Sequence, residues 1–291
     1  MNFFATIWKS ARPYQWPKNF LLFAALIFSK HLFDFDLLIK NFWGFLVFCL
    51  ASSSLYILND AIDYSSDIKH PLKSKRPVAS GQLPRSAAFV VSLVGLAAAL
   101  AWSYVLGEKF ALGLLLFMAV NFAYSFFLKR FVILDAMLLA TGFVLRAVAG
   151  GWLIGAPISD WLVICTLLLS LFLAFSKRRA ELVLLEEEAK SHRASLEHYS
   201  PYLLDQLIGV VTASTVVAYT FYTLSPEVKE KLGSTHLYLT VPFVLFGIFR
   251  YLYLVHQKTE GGDPTKTIFS DLPLVLGIIL WAGAVFLLIY K

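Results

Sequence analysis

The stretch FWGFLVFCLASSSLYILNDAIDYSSD, residues 42–67, joins an uncharged apolar run to a group of acids. Residues 42–59 come close to the roughly 20 apolar residues that a helix needs to cross a bilayer core. Three aspartates, Asp60, Asp63 and Asp67, follow immediately. The stretch therefore predicts a membrane-spanning helix with acidic side chains at one end.

Similar apolar runs recur along the whole chain. The protein is 58% hydrophobic and only 15% charged, whereas charged residues make up about 25% of a typical soluble domain. The pattern predicts an all-α fold, a polytopic membrane helical bundle that forms one domain over residues 1–291. Nine transmembrane helices are predicted, at 20–38, 42–59, 86–106, 110–128, 131–154, 160–176, 207–224, 236–255 and 272–290.

The basic residues predict the orientation of this bundle. Eighteen of the 25 Lys and Arg residues fall on the side that carries the N-terminus, six fall on the other side, and Arg146 alone lies inside a span. Basic residues accumulate on the cytosolic side of membrane proteins. We therefore expect a cytosolic N-terminus. The net charge of +6 then reflects topology, and nucleic-acid binding is not indicated.

The polar chemistry of the chain also concentrates on the predicted cytosolic side. The N-terminal segment, residues 1–19, mixes aromatic and basic residues as interfacial segments do. The cytosolic connections 60–85, 177–206 and 256–271 are longer or richer in charge than simple turns, and 177–206 has the alternation of a helix lying at the surface. The outer loops are short. We therefore expect the active site to face the cytosol.

The three aspartates have a spacing that favours metal binding. If the second span continues as a helix to about residue 68, Asp60, Asp63 and Asp67 lie within about 60° of one another on one face. Mg²⁺ is typically held by such carboxylates and completed by substrate phosphates. The alternative is an acidic helix end that Lys69 and Lys73 neutralise.

The bases that follow the acids suit the other side of a diphosphate. Lys73 and Arg76 are candidates to clamp it, Arg76 through the bidentate fork of its guanidinium. The alternative is that these bases only fix the topology. That alternative suits Lys75 and Arg85 better than Lys73 and Arg76.

The motif around these residues resembles a known family. NDAIDYSSDIKHPLKSKRP, residues 59–77, resembles the first Asp-rich motif of the UbiA superfamily of intramembrane prenyltransferases, with Asn59, Asp60, Asp63 and Asp67 at the motif positions. Five further stretches resemble one branch, the decaprenyl-phosphate phosphoribosyltransferases. They are RPYQWPKN (12–19), YSFFLKRFVILDAM (124–137), GFVLRAVAGG (142–151), FSKRRAEL (175–182) and EGGDPT (260–265).

The resemblance implies a UbiA-type fold and an Mg²⁺-dependent enzyme of cell-wall biosynthesis. It would transfer 5-phosphoribosyl from phosphoribosyl pyrophosphate (PRPP) to a polyprenyl phosphate such as decaprenyl phosphate, releasing diphosphate. The second DxxxD motif of typical prenyltransferases is reduced here, since Leu139 follows Asp135 four residues later. This speaks against the first alternative, prenyl transfer from a prenyl diphosphate to an aromatic acceptor. The one-sided polar chemistry speaks against a lipid transporter. A monomer and a homo-oligomer are both compatible with the sequence.

The other candidate residues would bind substrate. Tyr124 and Lys129 match a Tyr…Lys element that the superfamily places near its diphosphate. Asp135 and Arg146 are eleven residues apart, so they share a helix face. Arg146 is a functional candidate because charges inside membranes are costly, and its alternative is a buried ion pair with Asp135 or another acid.

Four further bases complete the substrate-binding set. Lys177, Arg178 and Arg179 follow the sixth predicted span and would bind the lipid phosphate, or serve topology alone. Lys18 lies at the interface beside Trp16 and is a weaker candidate.

Overall fold

The computed structural model describes residues 3–69, 73–184, 198–258 and 261–291. Within these ranges the protein is helical and has no β-strand, so the all-α prediction is confirmed. The α-helices are α1 (Phe3–Ala11), α2 (Phe23–Phe28), α3 (Phe35–Ile62), α4 (Tyr64–Asp67), α5 (Arg85–Leu106), α6 (Glu108–Phe126), α7 (Leu134–Ile154), α8 (Asp160–Leu184), α9 (Pro201–Leu224), α10 (Pro226–Leu232), α11 (Val241–Gln257), α12 (Pro264–Ser270) and α13 (Leu272–Tyr290). Short 3₁₀ helices cover Pro13–Leu22, Lys73–Lys75, Leu128–Arg130 and Leu237–Thr240.

Eight helical segments in the described part of the chain are long and apolar enough to cross a membrane. They are Phe35–Ile62, Arg85–Leu106, Glu108–Phe126, Leu134–Ile154, Asp160–Val183, Pro201–Leu224, Leu237–Gln257 and Leu272–Tyr290. The predicted first span, 20–38, is not among them. In its place lie the end of a 3₁₀ helix, the short α2 and a turn before α3. Asp34 ends that turn by capping α3, where its carboxylate accepts the Leu37 N–H at 3.2 Å.

The segment Pro13–Phe28 nevertheless runs along α3 in the opposite direction. Arg12 contacts Asp60 near one end of α3, and Asn41 nearer the other end donates its Nδ2–H to the carbonyl of Leu22 at 3.2 Å. Ten 3₁₀ residues at about 2 Å each and six α-helical residues at about 1.5 Å each span about 29 Å, close to the thickness of a hydrocarbon core. This segment overlaps the first half of the predicted span at 20–38 and begins seven residues before it.

One compact unit comprises Met1–Leu26, Asp34–Leu128 and Leu145–Ala156. Helix α3 is its most buried span and packs on α1, α5, α6 and the 3₁₀ helix Pro13–Leu22. Small residues permit these close approaches, as is usual between membrane helices. Gly150 of α7 lies directly against the backbone of Leu22, and Gly95 of α5 lies against Ser54.

The second compact unit comprises Ile27–Phe33, Lys129–Val144 and Pro157–Lys291. In it α8 packs on α9, α9 packs on α11, and α11 packs on α13. The connection between α11 and α13 is fastened by Arg250, whose Nε and Nη2 donate to the two carboxylate oxygens of Asp271 at 3.0 and 2.8 Å. The surface helix predicted within 177–206 falls largely on residues 185–197, which lie outside the described residues, whereas 177–184 continue α8.

Candidate active site

The acidic motif does not form one continuous helix. Helix α3 ends at Ile62, Asp63 leaves the helical conformation with a ψ of 7°, and α4 resumes at Tyr64. The predicted continuation to residue 68 is therefore interrupted by one residue. The change of direction there is small, since the Asp63 N–H still donates to the carbonyl of Asn59 at 2.8 Å.

Asp60 and Asp67 come together on one arginine. Arg76 Nη1 donates to Asp60 Oδ1 at 3.0 Å and to Asp67 Oδ2 at 2.7 Å. Arg12 donates to the same Asp60 Oδ1 at 2.5 Å. Both carboxylates are buried, with exposed fractions of 1% and 3%. The four side chains form a charge-balanced cluster of two acids and two bases, which we call the Asp60 cluster.

Burial changes the protonation chemistry of this cluster. It raises the pKa of Asp67, although the neighbouring charges of Arg76 and Lys73 act in the opposite direction. A carboxylate of this kind is held close to cations because they replace the water that it lost. The negative charge of Asp67 is therefore stabilised by Arg76 and Lys73, against the effect of burial.

The residues of the Asp60 cluster fit a magnesium ion. Asp60 Oδ2 is buried and has no hydrogen-bond partner within the described residues, so it offers a ligand oxygen. Across the described ranges no group of three His, Cys, Asp or Glu side chains is assembled for a metal. Mg²⁺ is commonly held by only one or two carboxylates, with water and substrate phosphates completing its shell. Asp60 and Asp67 meet that requirement, whereas a third ligand from Asp63 stays a prediction.

Asn59 and Lys73 lie close to the acids in the chain. Asn59 is in the last turn of α3. Lys73 begins the 3₁₀ turn Lys73–Lys75, and its carbonyl accepts the N–H of Arg76 at 2.9 Å. This turn is what presents Arg76 to both carboxylates. The part of the predicted loop at 70–72 lies outside the described residues.

Arg146 has a second polar environment, built on Asn19. Arg146 Nε donates to Asn19 Oδ1 at 2.8 Å, and its guanidinium carbon lies 4.4 Å from the centre of the Phe117 ring. Asn19 is fully buried and donates through Nδ2 to Cys49 Sγ at 3.3 Å. The 3₁₀ helix thus directs one amide at the deeply buried guanidinium.

Arg12 and Asn19 contact the candidate residues Asp60 and Arg146, and the sequence analysis did not include them. Both lie in the motif RPYQWPKN at 12–19, which was interpreted as interfacial. The available signal was polarity inside an apolar region, since Asn19 directly precedes the run FLLFAALIF and polar groups within membranes usually have a function. Lys18 adjoins Asn19 and is half-buried.

Asp135 belongs to a buried cluster in the second unit. Arg178 Nε donates to Asp135 Oδ2 at 2.7 Å, and the hydroxyl of Tyr199 donates to Asp135 Oδ1 at 2.9 Å. That hydroxyl also accepts the N–H of Ile133 at 2.7 Å. Burial raises the pKa of Tyr199, so it remains a proton donor. The carboxylate of Asp135 is therefore paired with Arg178.

The three bases at 177–179 have different environments. Arg178 is 1% exposed and also contacts Glu181 at 2.8 Å, whereas Lys177 lies 3.8 Å from Glu181. Arg179 Nε donates to Asp205 Oδ1 at 2.5 Å. Tyr124 lies in the last turn of α6, and Lys129 lies in the 3₁₀ turn Leu128–Arg130.

The fold and this arrangement of acids and bases define a class of protein. The profile of the UbiA prenyltransferase family matches residues 20–272. The chain belongs to this family and is an integral membrane protein. The UbiA-type fold that the motif implied is confirmed.

Within the family, three named relatives match nearly the whole chain. The decaprenyl-phosphate phosphoribosyltransferase of Mycolicibacterium smegmatis is 34% identical over 99% of this chain and 94% of its own length. Its namesakes from Corynebacterium glutamicum and Mycobacterium tuberculosis are each 31% identical. They cover 97% and 98% of this chain, over 86% and 94% of their own lengths.

A solved structure shares the fold at lower sequence identity. A UbiA homologue from Archaeoglobus fulgidus bound to GPP and Mg²⁺ superposes with a TM-score of 0.72 at 19% identity. The match covers 98% of this chain and all of that one. At this identity the likeness concerns the fold alone.

Proposed function

We propose that the protein is an Mg²⁺-dependent phosphoribosyltransferase. It transfers the 5-phosphoribosyl group of PRPP to a polyprenyl phosphate, decaprenyl phosphate in its named relatives, and releases diphosphate. The observation that carries the proposal is the convergence of Asp60 and Asp67 on Arg76, with Asp60 Oδ2 left without a partner in the described chain. A site of two acids surrounded by bases suits a metal-bound diphosphate better than a neutral substrate.

The Asp60 cluster would bind the departing diphosphate. Asp60 and Asp67 would hold Mg²⁺, with Asp63 as a further ligand, and the ion would neutralise the diphosphate as a leaving group. Positive charge at the proposed diphosphate site also comes from Arg76, Arg12 and Lys73. Fixed charges that face developing negative charge are usually the largest contribution to catalysis. These residues would therefore stabilise the bond-breaking step.

The transfer needs no strong base. The bond from the anomeric carbon to diphosphate breaks, and a phosphate oxygen of the acceptor forms a bond to the same carbon. That carbon becomes oxocarbenium-like, as at glycosidic centres. Because a phosphate monoester is already an anion at neutral pH, no proton has to be removed. The remaining requirement is to position two phosphate-bearing substrates.

The bases outside the Asp60 cluster would position the acceptor and the donor 5-phosphate. Arg146 is the strongest candidate because Asn19 and Phe117 fix its guanidinium. Lys129, Lys177 and Arg179 are further candidates. Arg178 is fully engaged in a buried pair with Asp135, so we assign Arg178 and Asp135 to supporting the end of α8. Lys18, Asn59 and Tyr124 would complete the substrate contacts.

The site would face the cytosol of a bacterium, from the inner membrane. The bias of the basic residues supports this orientation, because 18 of 25 lie on the side of the N-terminus. PRPP is a soluble, highly charged substrate. Its binding site is therefore expected at the aqueous, cytosolic ends of the helices.

A substrate assay tests the proposal. Purified protein with Mg²⁺ is given radiolabelled PRPP and decaprenyl phosphate, or a labelled prenyl diphosphate and a hydroxybenzoate. We expect label from PRPP in the lipid fraction, with one diphosphate released per product and no turnover after chelation of the metal. Prenylation of the aromatic acceptor would instead identify a conventional prenyltransferase. Lipid flux across liposomes without consumption of PRPP would identify a transporter.

A further inference from the structure

An open groove lies between α9 and α11 in the second unit. It has a volume of about 570 Å³ and is lined by Gly209, Ala213 and Val217 of α9 and by Leu245, Phe249 and Leu252 of α11. The lining on α9 extends from Asp205 to Val217, a distance of about 18 Å at the rise of an α-helix. The groove is therefore long, apolar and of the size of a ligand site.

One end of the groove is polar. Asp205 and His256 line it there, 4.0 Å apart between Asp205 Oδ1 and His256 Nδ1. Arg179, which extends from α8, donates to the same Asp205 oxygen at 2.5 Å. Further along the groove the hydroxyl oxygen of Thr212 is buried and has no hydrogen-bond partner among the described residues. This polar end thus combines a guanidinium, an imidazole and one acid that orients them.

We propose that this groove holds the polyprenyl tail of the acceptor lipid, with its phosphate at Arg179 and His256. The inference rests on the proposed function, since it assigns a place to the acceptor of that reaction. It also gives Arg179 a different role from Arg178, because Arg178 is buried in an ion pair with Asp135.

Charge and shape favour a lipid phosphate monoester as the occupant. Such a headgroup is compact and carries about −1.5 to −2 charges at neutral pH, which complements Arg179, and the imidazole of His256 can donate an N–H to a phosphate oxygen. A P–OH group that remains on the phosphate finds an acceptor in Asp205. The apolar remainder of the groove suits a hydrocarbon chain and offers it little to hydrogen-bond except Thr212.

Filling the groove tests the assignment, and the chain offers a matched control. A Cβ at Gly209 or at Gly283 would meet no atom within 4 Å, so the first carbon of a new side chain has open space at both positions. Only Gly209 lines the groove. We expect Gly209→Leu to raise the KM for decaprenyl phosphate at least tenfold, with the KM for PRPP unchanged. For Gly283→Leu we expect both KM values to remain unchanged. Equal KM values for decaprenyl phosphate in the two variants would overturn the assignment.

A second measurement is independent of turnover. A polyprenyl phosphate with a photoreactive diazirine in its tail should label peptides of α9 and α11 in the intact protein, and Gly209→Leu should reduce this labelling. Unlabelled decaprenyl phosphate should compete at lower concentration than phosphatidylethanolamine. Competition in the reverse order would identify a bilayer lipid as the occupant and overturn the proposal. If the wild type transfers no phosphoribosyl group yet labels as described, the proposed function fails while the lipid site stands.

A third test removes the negative charge of Asp205. For a phosphate headgroup, Asp205→Asn removes a negative neighbour, and we expect binding of the labelled lipid to be retained or strengthened. Loss of labelling by tenfold in Asp205→Asn, with labelling by an amine-headed lipid lost in parallel, would show that the acid binds an ammonium group. That result would overturn the assignment of a phosphate monoester.

Discussion

Asp60 and Asp67 share one nitrogen of Arg76, but Asp60 also accepts from Arg12 and keeps Oδ2 without a partner in the described residues. We predict that Asp60→Asn and Asp67→Asn each lower kcat with PRPP at least about 100-fold, the scale on which one electrostatic contact to developing charge acts. Each change removes a charge and leaves the side-chain volume intact. Asp36→Asn, an exposed acid in the first turn of the same helix, serves as the control.

The variant Asp63→Asn tests whether Asp63 is a third ligand to the metal. We expect it to abolish turnover as well if Asp63 is the third ligand to the metal. Rates near wild type for Asp63→Asn together with loss in Asp67→Asn would restrict the metal site to Asp60 and Asp67. Rates near wild type in all three variants would reject the metal assignment.

Asn19 is expected to stabilise the protein by satisfying Arg146. Hydrogen bonds to charged groups contribute about 1.5–3 kcal/mol, and here the guanidinium is deep in the fold. We predict that Asn19→Ala lowers the free energy of unfolding by about 2 kcal/mol and raises the KM for a phosphate substrate, measured by thermal unfolding in detergent and by steady-state kinetics. Ser52→Ala, which removes a longer 3.4 Å bond to Asn19, is the matched control. An Asn19→Ala protein as stable as Ser52→Ala would contradict the prediction.

At the scale of elements, the long helices α5, α6, α7, α8, α9, α11 and α13 follow from apolar run length, because a bilayer imposes about 20 such residues on each. The conformation of segment Pro13–Phe28 could not be predicted from apolar run length. Pro13 and Pro17 lack the N–H groups of a regular α-helix, and the chain takes a 3₁₀ path in which ten residues cover the length of about thirteen in an α-helix. Asn19 and Arg146, which are hydrogen-bonded to each other, are 127 residues apart in the chain. No local sequence pattern pairs residues at that separation.

The packing of this 3₁₀ helix on α7 depends on Gly150. A Cβ there would meet the backbone carbonyl group of Leu22, and backbone moves less readily than a side chain. Overpacking of this kind typically costs 1–3 kcal/mol, so we predict that Gly150→Ala lowers the midpoint of thermal unfolding clearly. Gly283→Ala, which meets no atom within 4 Å, should leave the midpoint within about a degree. Equal midpoints for the two variants would show that the segment adjusts freely.

The fastening of α11 to α13 should depend on pH. The bidentate hydrogen bonds from Arg250 lower the pKa of Asp271 below its ordinary 3.8. A lowered carboxylate pKa stabilises the folded state above the unfolded value, and that stabilisation disappears as the pH falls through the folded value. We predict that Asp271→Asn unfolds at a lower temperature than wild type at pH 7, and that the difference shrinks below pH 3.8. A difference that stays constant from pH 7 to pH 3 would exclude this ion pair as its source.

For the whole molecule, the number of membrane crossings decides on which sides the two termini lie. Eight crossings would place both termini on one side, whereas the eight span-length helices of the described chain together with Pro13–Phe28 make nine and place them on opposite sides. Lys9 and Lys291 are both exposed, so cysteine substitutions there report on each side. The native thiol Cys49 is buried, and Cys165 is replaced by Ser to remove background labelling.

We predict that Lys291→Cys reacts with a membrane-impermeant maleimide in intact cells, while Lys9→Cys reacts only after the membrane is opened. The reason is physical: a chain that passes nine times through the bilayer ends on the side opposite its start, and the excess of Lys and Arg holds the start in the cytosol. Lys229→Cys, in α10 between α9 and α11, should behave like Lys291→Cys, and Lys266→Cys should behave like Lys9→Cys. Labelling of Lys9→Cys and Lys291→Cys under the same condition would mean that the 3₁₀ segment enters the membrane without crossing it. The Asp60 cluster would then have to bind PRPP beside a re-entrant segment.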